Sequence, residues 1–159
     1  MPTHLFSCVP LAVLLAAASG STPQTEGPVL NPLLPRWTGP HGGLPPFDKV
    51  KVEQFKPALE TAMAEQLTEI DKIANDPAAP TFENTIEAME RAGRTLDRVS
   101  NVYGVFSSTM STDDFQKVET EMAPKLAAFN DQIIQNKELF SRIAALYDAR
   151  QTYEDRLAG

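Results

Sequence analysis

Three glutamates in the middle of the chain carry side chains suited to metal binding or acid–base chemistry. Glu83, Glu87 and Glu90 fall on one side of a predicted helix, and neighbouring carboxylates can bind a cation or exchange protons. Glu87 and Glu90, however, each precede an arginine by four residues, which is the favourable order for ion pairs on a helix surface. The pattern therefore favours a solvated, ion-paired face over a catalytic centre.

The two histidines offer no catalytic pattern. His41 lies in the Gly-rich sequence GPHGG, and His4 lies near the amino terminus. A catalytic histidine needs an orienting carboxylate and a nucleophile or metal within reach, and the sequence assures His41 of neither. Neither histidine belongs to a His-Glu-Xaa-Xaa-His zinc motif. We interpret His41 as a turn residue.

A group of hydroxyl side chains follows the second predicted helix but lacks the Gly-Xaa-Ser-Xaa-Gly pattern of a nucleophile elbow. We interpret these side chains as loop and cap residues: Ser107, Ser108, Thr109 and Ser111. The sequence thus assigns no catalytic residue and no metal-binding residue, and it leaves the substrate-binding residues unknown.

The composition limits the class of protein. The chain has 159 residues, of which 42% are apolar, and this is enough for one domain with a hydrophobic core. Its formal net charge is −7, whereas binding to a phosphate backbone requires clustered Lys and Arg. We therefore expect no nucleic-acid partner.

Residues 1–20 have the pattern of a secretory signal peptide. The apolar run Val9–Ala18 is followed by small residues at which a signal peptidase could cleave, and about ten residues are too few to span a membrane. Cys8 precedes the run, whereas the acylated cysteine of a lipoprotein follows it. Because the first residues contain no Lys or Arg, an apolar amino-terminal helix or an incorrect start site is the alternative. We expect a periplasmic or secreted protein with no stable membrane anchor.

Two irregular segments are expected before the helices. Residues 21–29 are small, polar and Pro-containing, which is typical of a disordered spacer. Residues 30–51 form a Pro/Gly-rich arm, because prolines fix φ and lack a backbone donor. Trp37 is the only tryptophan of the chain. It either anchors the arm on the helices or contributes to a peptide-binding surface, and we favour the anchor.

Residues 52–159 are predicted to be helical. The first helix should begin near Pro57, after a single turn that contains Val52 and Phe55, and end at Asp76-Pro77. Its apolar positions recur at helical spacing and define one face: Leu59, Met63, Leu67, Ile70 and Ile73.

The second helix should have Thr81 as its N-cap and continue unbroken through Gly93 to Phe106. Gly93 indicates the close approach of another helix, since glycine is otherwise unfavourable inside a helix. The connection from the first helix is short, so the two helices should lie antiparallel. Its apolar stripe also includes Phe82, Ile86, Met89, Leu96, Val99 and Tyr103.

Two further helices complete the prediction. The third should begin at Thr112 as N-cap, with Asp113 and Asp114 at the positive end of the helix dipole. Pro124 should interrupt it and bend it near Thr120–Met122, because proline removes one backbone hydrogen bond. The fourth should be capped by Asn136. Its expected apolar positions are Leu139, Ile143, Leu146, Tyr153 and Leu157.

The predicted fold class is all-α, with antiparallel helical hairpins preceded by the irregular arm. The apolar faces together exceed what a short antiparallel bundle needs to bury. Aromatic side chains left exposed would mark a missing neighbour, and four are candidates: Phe106, Phe115, Phe129 and Phe140.

Three passages resemble the amino-terminal region of the thimet-oligopeptidase-like zinc metallopeptidases, and within them the peptidyl-dipeptidase Dcp and oligopeptidase A group. The TGP and PPFD turns of the arm and the later TFENTIEA box are most similar to Dcp. The passages are NPLLPRWTGPHGGLPPFDKVKVEQFKPALETAMAEQ (Asn31–Gln66), APTFENTIEAMERAGRTLDRVSNVY (Ala79–Tyr103) and EMAPKLAAFNDQIIQNKELFSRIAALYD (Glu121–Asp148).

The resemblance implies a much longer, mostly helical enzyme that cleaves short peptides at one zinc ion, held in its carboxyl-terminal half. It implies that residues 52–159 are the amino-terminal helical lid region, truncated before the catalytic domain, which gates the substrate channel and has no cofactor of its own. The implied partners are the missing catalytic half and, in the full enzyme, short peptides. The alternative is a non-catalytic exported helical binding or scaffold module.

Overall fold

The computed structural model describes residues 30–40 and 43–158, and the side chains up to residue 150. The predicted signal peptide (1–20), the spacer (21–29) and His41 lie outside the described residues, as do the side chains of Tyr153 and Leu157. The described part contains helices and no strand, which confirms the all-α prediction. The helices are α1 (Phe55–Ala74), α2 (Ala88–Arg91), α3 (Arg94–Thr109), α4 (Asp113–Ile134) and α5 (Lys137–Ala158).

The first helix begins slightly earlier than predicted. A 3₁₀ turn, Val52–Gln54, leads directly into α1, so that Phe55 is its first residue and is completely buried. Pro57 occupies the first turn of α1, where the missing N–H has no intrahelical partner to lose. No described helix combines the length and the apolar character that a membrane span needs.

The prediction of one unbroken second helix was wrong. Thr81 caps a π-helical turn, Phe82–Glu87, as predicted from its side chain, and this turn continues into α2. The chain then breaks at Gly93, whose φ of +78° lies in the left-handed region that favours glycine. A β-carbon there would collide with the side chain of Gln66 on α1. Gly93 therefore permits the close helix approach that was expected, but as a break between helices.

The caps of α4 and α5 confirm the sequence prediction. The Thr112 hydroxyl accepts the N–H of Phe115 at 3.3 Å, and the Asn136 side chain accepts the N–H of Leu139 at 2.9 Å. Helix α4 runs through Pro124 without interruption. The bend expected near Thr120–Met122 stays a prediction.

Helix α1 lies at the centre of the bundle. Phe55 at its start is 4.8 Å from Phe106 near the end of α3, and Glu69 near its end accepts the N–H of Gly93 at 2.7 Å, so α1 and α3 are antiparallel as predicted. Helix α4, in contrast, runs parallel to α1, because the ring of Phe55 also contacts that of Phe115 at the start of α4, 5.3 Å away. Burial of both helices against one face of α1 forms the main core.

The arm packs on this core. Leu33 is completely buried within it, and Trp37 packs against it as a half-buried residue. Asn31 donates to the carbonyl of Gln54 at 2.8 Å, while Arg98 on α3 donates to the carbonyl of Leu34 at 3.1 Å. Trp37 thus contacts the core as an anchor of the arm on the helices would, which is the alternative that the sequence favoured.

The Gly93 break yields a prediction about stability. Gly93→Ala places a β-carbon in a left-handed position against Gln66 and should lower the free energy of unfolding by about 1–3 kcal/mol. Gly104→Ala is the matched control, since Gly104 lies inside α3 and an added β-carbon meets no atom within 4 Å. The control should be neutral or stabilising by up to about 1 kcal/mol. Urea unfolding followed by circular dichroism distinguishes the two variants. Equal changes in their free energy of unfolding would contradict the assignment of a left-handed, sterically restricted conformation to Gly93.

Candidate functional site

The three glutamates of the second predicted helix are exposed. Glu87 is ion-paired with Arg91, as predicted, and both side chains are exposed. The break at Gly93 interrupts the helical register that was expected to bring Glu90 to Arg94. The pKa of Glu83 is lowered, first by a hydrogen bond from its own backbone and then by Thr81. A lowered pKa keeps this carboxylate ionised and does not suit it to act as a general acid near neutral pH.

Ser107, Ser108 and Thr109 belong to the last turns of α3 and not to a loop, which corrects their interpretation from the sequence, whereas Ser111 lies after the end of α3 as expected. Ser108 and Thr109 donate to the carbonyls of Gly104 and Val105 at 2.8 and 2.7 Å, and Ser107 donates to Glu119 of α4 at 2.5 Å. These bonds stay within and between surface helices. None of them activates a nucleophile, because no histidine or lysine base accepts from these oxygens.

An arginine that sequence reasoning missed fixes the connection between α1 and the capped turn. Arg142 of α5 is only 6% exposed. Its guanidinium donates to the carbonyls of Asp76 and Ala78 at 2.7 and 3.1 Å and to the side-chain oxygen of Asn84 at 2.9 Å. The helical spacing could have indicated its burial, since Arg142 is three residues after Leu139 and therefore lies on the apolar face of α5.

Asn84 is the second member of this polar cluster. Its side-chain oxygen accepts the N–H of Thr81 at 2.7 Å, and its amide donates to the carbonyl of Ala79 at 3.0 Å. Thr81 returns the bond by accepting the N–H of Asn84 at 3.1 Å. Residues of the TFENTIEA box therefore form a hydrogen-bonded cluster that holds the irregular turn against α5.

Charged side chains also join α1 to α4 along their outer edges. Lys56 contacts Glu121 at 2.5 Å, and Lys125 is ion-paired with Glu60. Hydrogen bonding to Glu121 raises the pKa of Lys56 and, conversely, lowers the pKa of Glu121. The side chains are about half exposed, so these pairs align the helices more than they stabilise them.

An apolar groove lies where α2, the end of α4 and α5 meet, and is here called the α4–α5 groove. Ile134 and Phe140 at its rim are 78% and 66% exposed. Phe106, Phe115 and Phe129, in contrast, are buried in the main core, so incomplete burial is confirmed for one of the four candidate phenylalanines. The groove is lined by Met89, Ile133, Ile134, Asn136, Leu139, Phe140 and Ile143.

The described residues do not fit a zinc site. No three His, Cys, Asp or Glu side chains are grouped among residues 30–40 and 43–158 in a way that could hold a metal ion. Structural and catalytic zinc sites both require at least three such protein ligands.

Comparison with known proteins gives the family context. No protein-family model matches the chain. It is 34% identical over 122 residues to a dipeptidyl carboxypeptidase of Salmonella typhimurium and 32% identical over 123 residues to one of Escherichia coli. Oligopeptidase A of Haemophilus influenzae is 28% identical over 113 residues.

The chain is a homologue of dipeptidyl carboxypeptidase and oligopeptidase A. This confirms the resemblance to the Dcp and oligopeptidase A group. Each dipeptidyl carboxypeptidase match covers 77% of the chain but only 18% of the relative, and the oligopeptidase A match covers 69% and 16%. The chain thus spans less than a fifth of the length of these peptidase relatives.

The Arg142 cluster generates the second prediction. Arg142→Met keeps most of the apolar stem but leaves the carbonyls of Asp76 and Ala78 without their donor, and should lower the free energy of unfolding by about 2–4 kcal/mol. Arg91→Met removes the same charge from an exposed ion pair and should cost less than about 1 kcal/mol. Equilibrium urea unfolding of both variants checks this difference, and a neutral Arg142→Met would show that the cluster is not structural.

Proposed function

We propose that the chain is the helical segment that gates the substrate channel of a zinc peptidase acting on short peptides. The observation that carries the proposal is the match to two dipeptidyl carboxypeptidases over 77% of this chain. The matched segment is a rigid helical layer, and its described residues offer neither a metal-binding group nor an activated nucleophile. Its contribution to hydrolysis is therefore control of access, while the remaining part of the peptidase cleaves the peptide.

The packing of the segment suits this function. A barrier that excludes folded proteins must keep its shape on contact with them. This requires dense packing of the helices and connecting segments that are hydrogen-bonded to them. The aromatic rings of α1, α3 and α4 interlock edge to face, with centroids 4.8–5.7 Å apart around Phe55. Arg98 and Arg142 fasten the arm and the turn that are not helical. A barrier of this kind admits an extended peptide and rejects a folded protein.

A chimera tests the gating function. In the Escherichia coli dipeptidyl carboxypeptidase, the matched segment is replaced by residues 30–150 of this chain, and kcat/KM is measured for short peptides beside cleavage of a folded protein. We expect a kcat/KM for short peptides within about tenfold of the parent enzyme and no cleavage of the folded protein. The same enzyme with the segment deleted is the control, and it should lose size discrimination or activity.

The full chain alone is the second control and should hydrolyse no peptide and bind no stoichiometric zinc. A chimera that behaves like the deleted enzyme would contradict the gating function. Such a result, together with a monomeric chain that unfolds cooperatively by itself, would favour the exported binding or scaffold module instead.

Export is part of the same proposal and rests on the apolar run Val9–Ala18 and the small residues after it. Expressed in full in a bacterium, the protein should appear in the periplasm without about its first 20 residues, as shown by its intact mass. Leu14→Arg interrupts the apolar run and should retain the precursor in the cytoplasm. Uncleaved protein confined to the cytoplasm without that substitution would contradict export.

A further inference from the structure

The apolar core of the described residues is closed at one end and open at the other. The main core buries thirteen residues, including Leu33 of the arm. A second cluster, at the end of α1 and the start of α5, buries only Ile70, Ala74 and Leu139. Its other members are partly exposed, and three of them, Met89, Ile133 and Ile143, line the α4–α5 groove. This cluster has the composition of a core that lacks one of its covering layers.

The rim of the groove carries exposed apolar side chains next to each other. Ile134 ends α4 and Phe140 lies in the first turn of α5, so only the short connection at Asn136 separates them. Both remain more than 60% exposed. Contiguous apolar surface of this kind on a folded protein marks an interaction site.

The chemistry of the groove selects the kind of occupant. Six of its seven lining residues are apolar, and the oxygen of the seventh, Asn136, already accepts the N–H of Leu139 at 2.9 Å. A site for an extended peptide needs polar groups that fix the peptide backbone. The groove offers no charged side chain for a peptide terminus. It therefore fits the apolar face of another folded element.

The relatives indicate where that element comes from. Each dipeptidyl carboxypeptidase continues for more than four fifths of its length beyond the segment matched here, since the match covers 18% of it. A segment that belongs to so much larger a protein must share a surface with the rest of it. At the α4–α5 groove, a small buried cluster adjoins exposed apolar side chains, which makes it a candidate for that surface.

We infer that the α4–α5 groove is the surface by which this segment docks on the remaining part of a dipeptidyl carboxypeptidase-like peptidase, with Ile134 and Phe140 as its anchors. The inference rests on the proposed function and specifies the partner surface. Large apolar residues at the centre of an interface contribute most of its binding free energy. Docking there leaves the outer edges of α1 and α4, with their ion pairs, away from the contact.

Cysteine labelling tests the docking surface. Ile134→Cys and Phe140→Cys are placed separately in the full chain and in the chimera, and alkylation by iodoacetamide is followed by peptide mass spectrometry. In the chimera we expect each rate to fall by about tenfold or more, since a buried thiol reacts only after local opening. Met110→Cys is the matched control. It lies 48% exposed just before α4, about 33 Å along the helix from Ile134, and should react equally in both proteins.

The outcomes separate this inference from the proposed function. A chimera that hydrolyses short peptides while both new cysteines react as fast as in the chain alone would overturn the docking surface and leave the gating function intact. Protection already present in the full chain alone would also overturn it. That result would assign the groove to a second copy if it varies with concentration, and to the chain's own residues if it does not. An inactive chimera with both cysteines protected supports docking and counts against gating.

Discussion

The structure depends on the burial of one face of α1 against two helices and the arm. Phe55, the first residue of this helix, is fully buried and contacts aromatic rings from both α3 and α4. Because a buried aromatic side chain contributes more apolar area than any other kind, this contact determines where the start of α4 must lie. The directions of the helices follow from it. Helix α3 returns antiparallel to α1, and α4 then runs parallel to α1.

Two arginines, the partly buried Arg98 and the buried Arg142, allow irregular chain to pack on this bundle. Segments without regular structure leave carbonyl groups that no neighbouring N–H reaches, and such groups are costly when they are removed from water. Arg98 supplies a donor to the arm, and Arg142 supplies donors to the turn after α1. A guanidinium carries five N–H donors in a fixed plane, which suits it to serve several carbonyl groups at once. The irregular parts thereby become as fixed as the helices.

The distribution of apolar surface relates this architecture to the peptidase relatives. A closed core around Phe55 gives a rigid body, while the open cluster beside Ile134 and Phe140 gives that body one surface suited to a larger protein. Among the described residues, Glu60, Glu87 and Glu121 are engaged in surface ion pairs. The described residues thus form a packed helical body with an apolar groove, and the similarity to peptidases is the basis for the gating and docking proposed for it.

The sequence by itself determined the helical class, the caps at Thr81, Thr112 and Asn136, and the family. These features depend on local chemistry: a hydroxyl or amide reaches a helix N–H within three residues, and apolar spacing reports the helical period. The peptidase relationship was likewise readable, because it resides in the residue order of the three matched passages.

The tertiary structure alone decided three other features, and each depends on residues distant in the chain. Gly93 was read as an interior helix residue, but its backbone becomes left-handed where Gln66 approaches. Arg142 was overlooked, because its carbonyl partners are about sixty residues away in sequence. Which of the phenylalanines would stay exposed could not be read from periodicity. Phe140 lies beside the predicted apolar face of α5, and only the presence or absence of a neighbouring helix determines whether that side of α5 is covered.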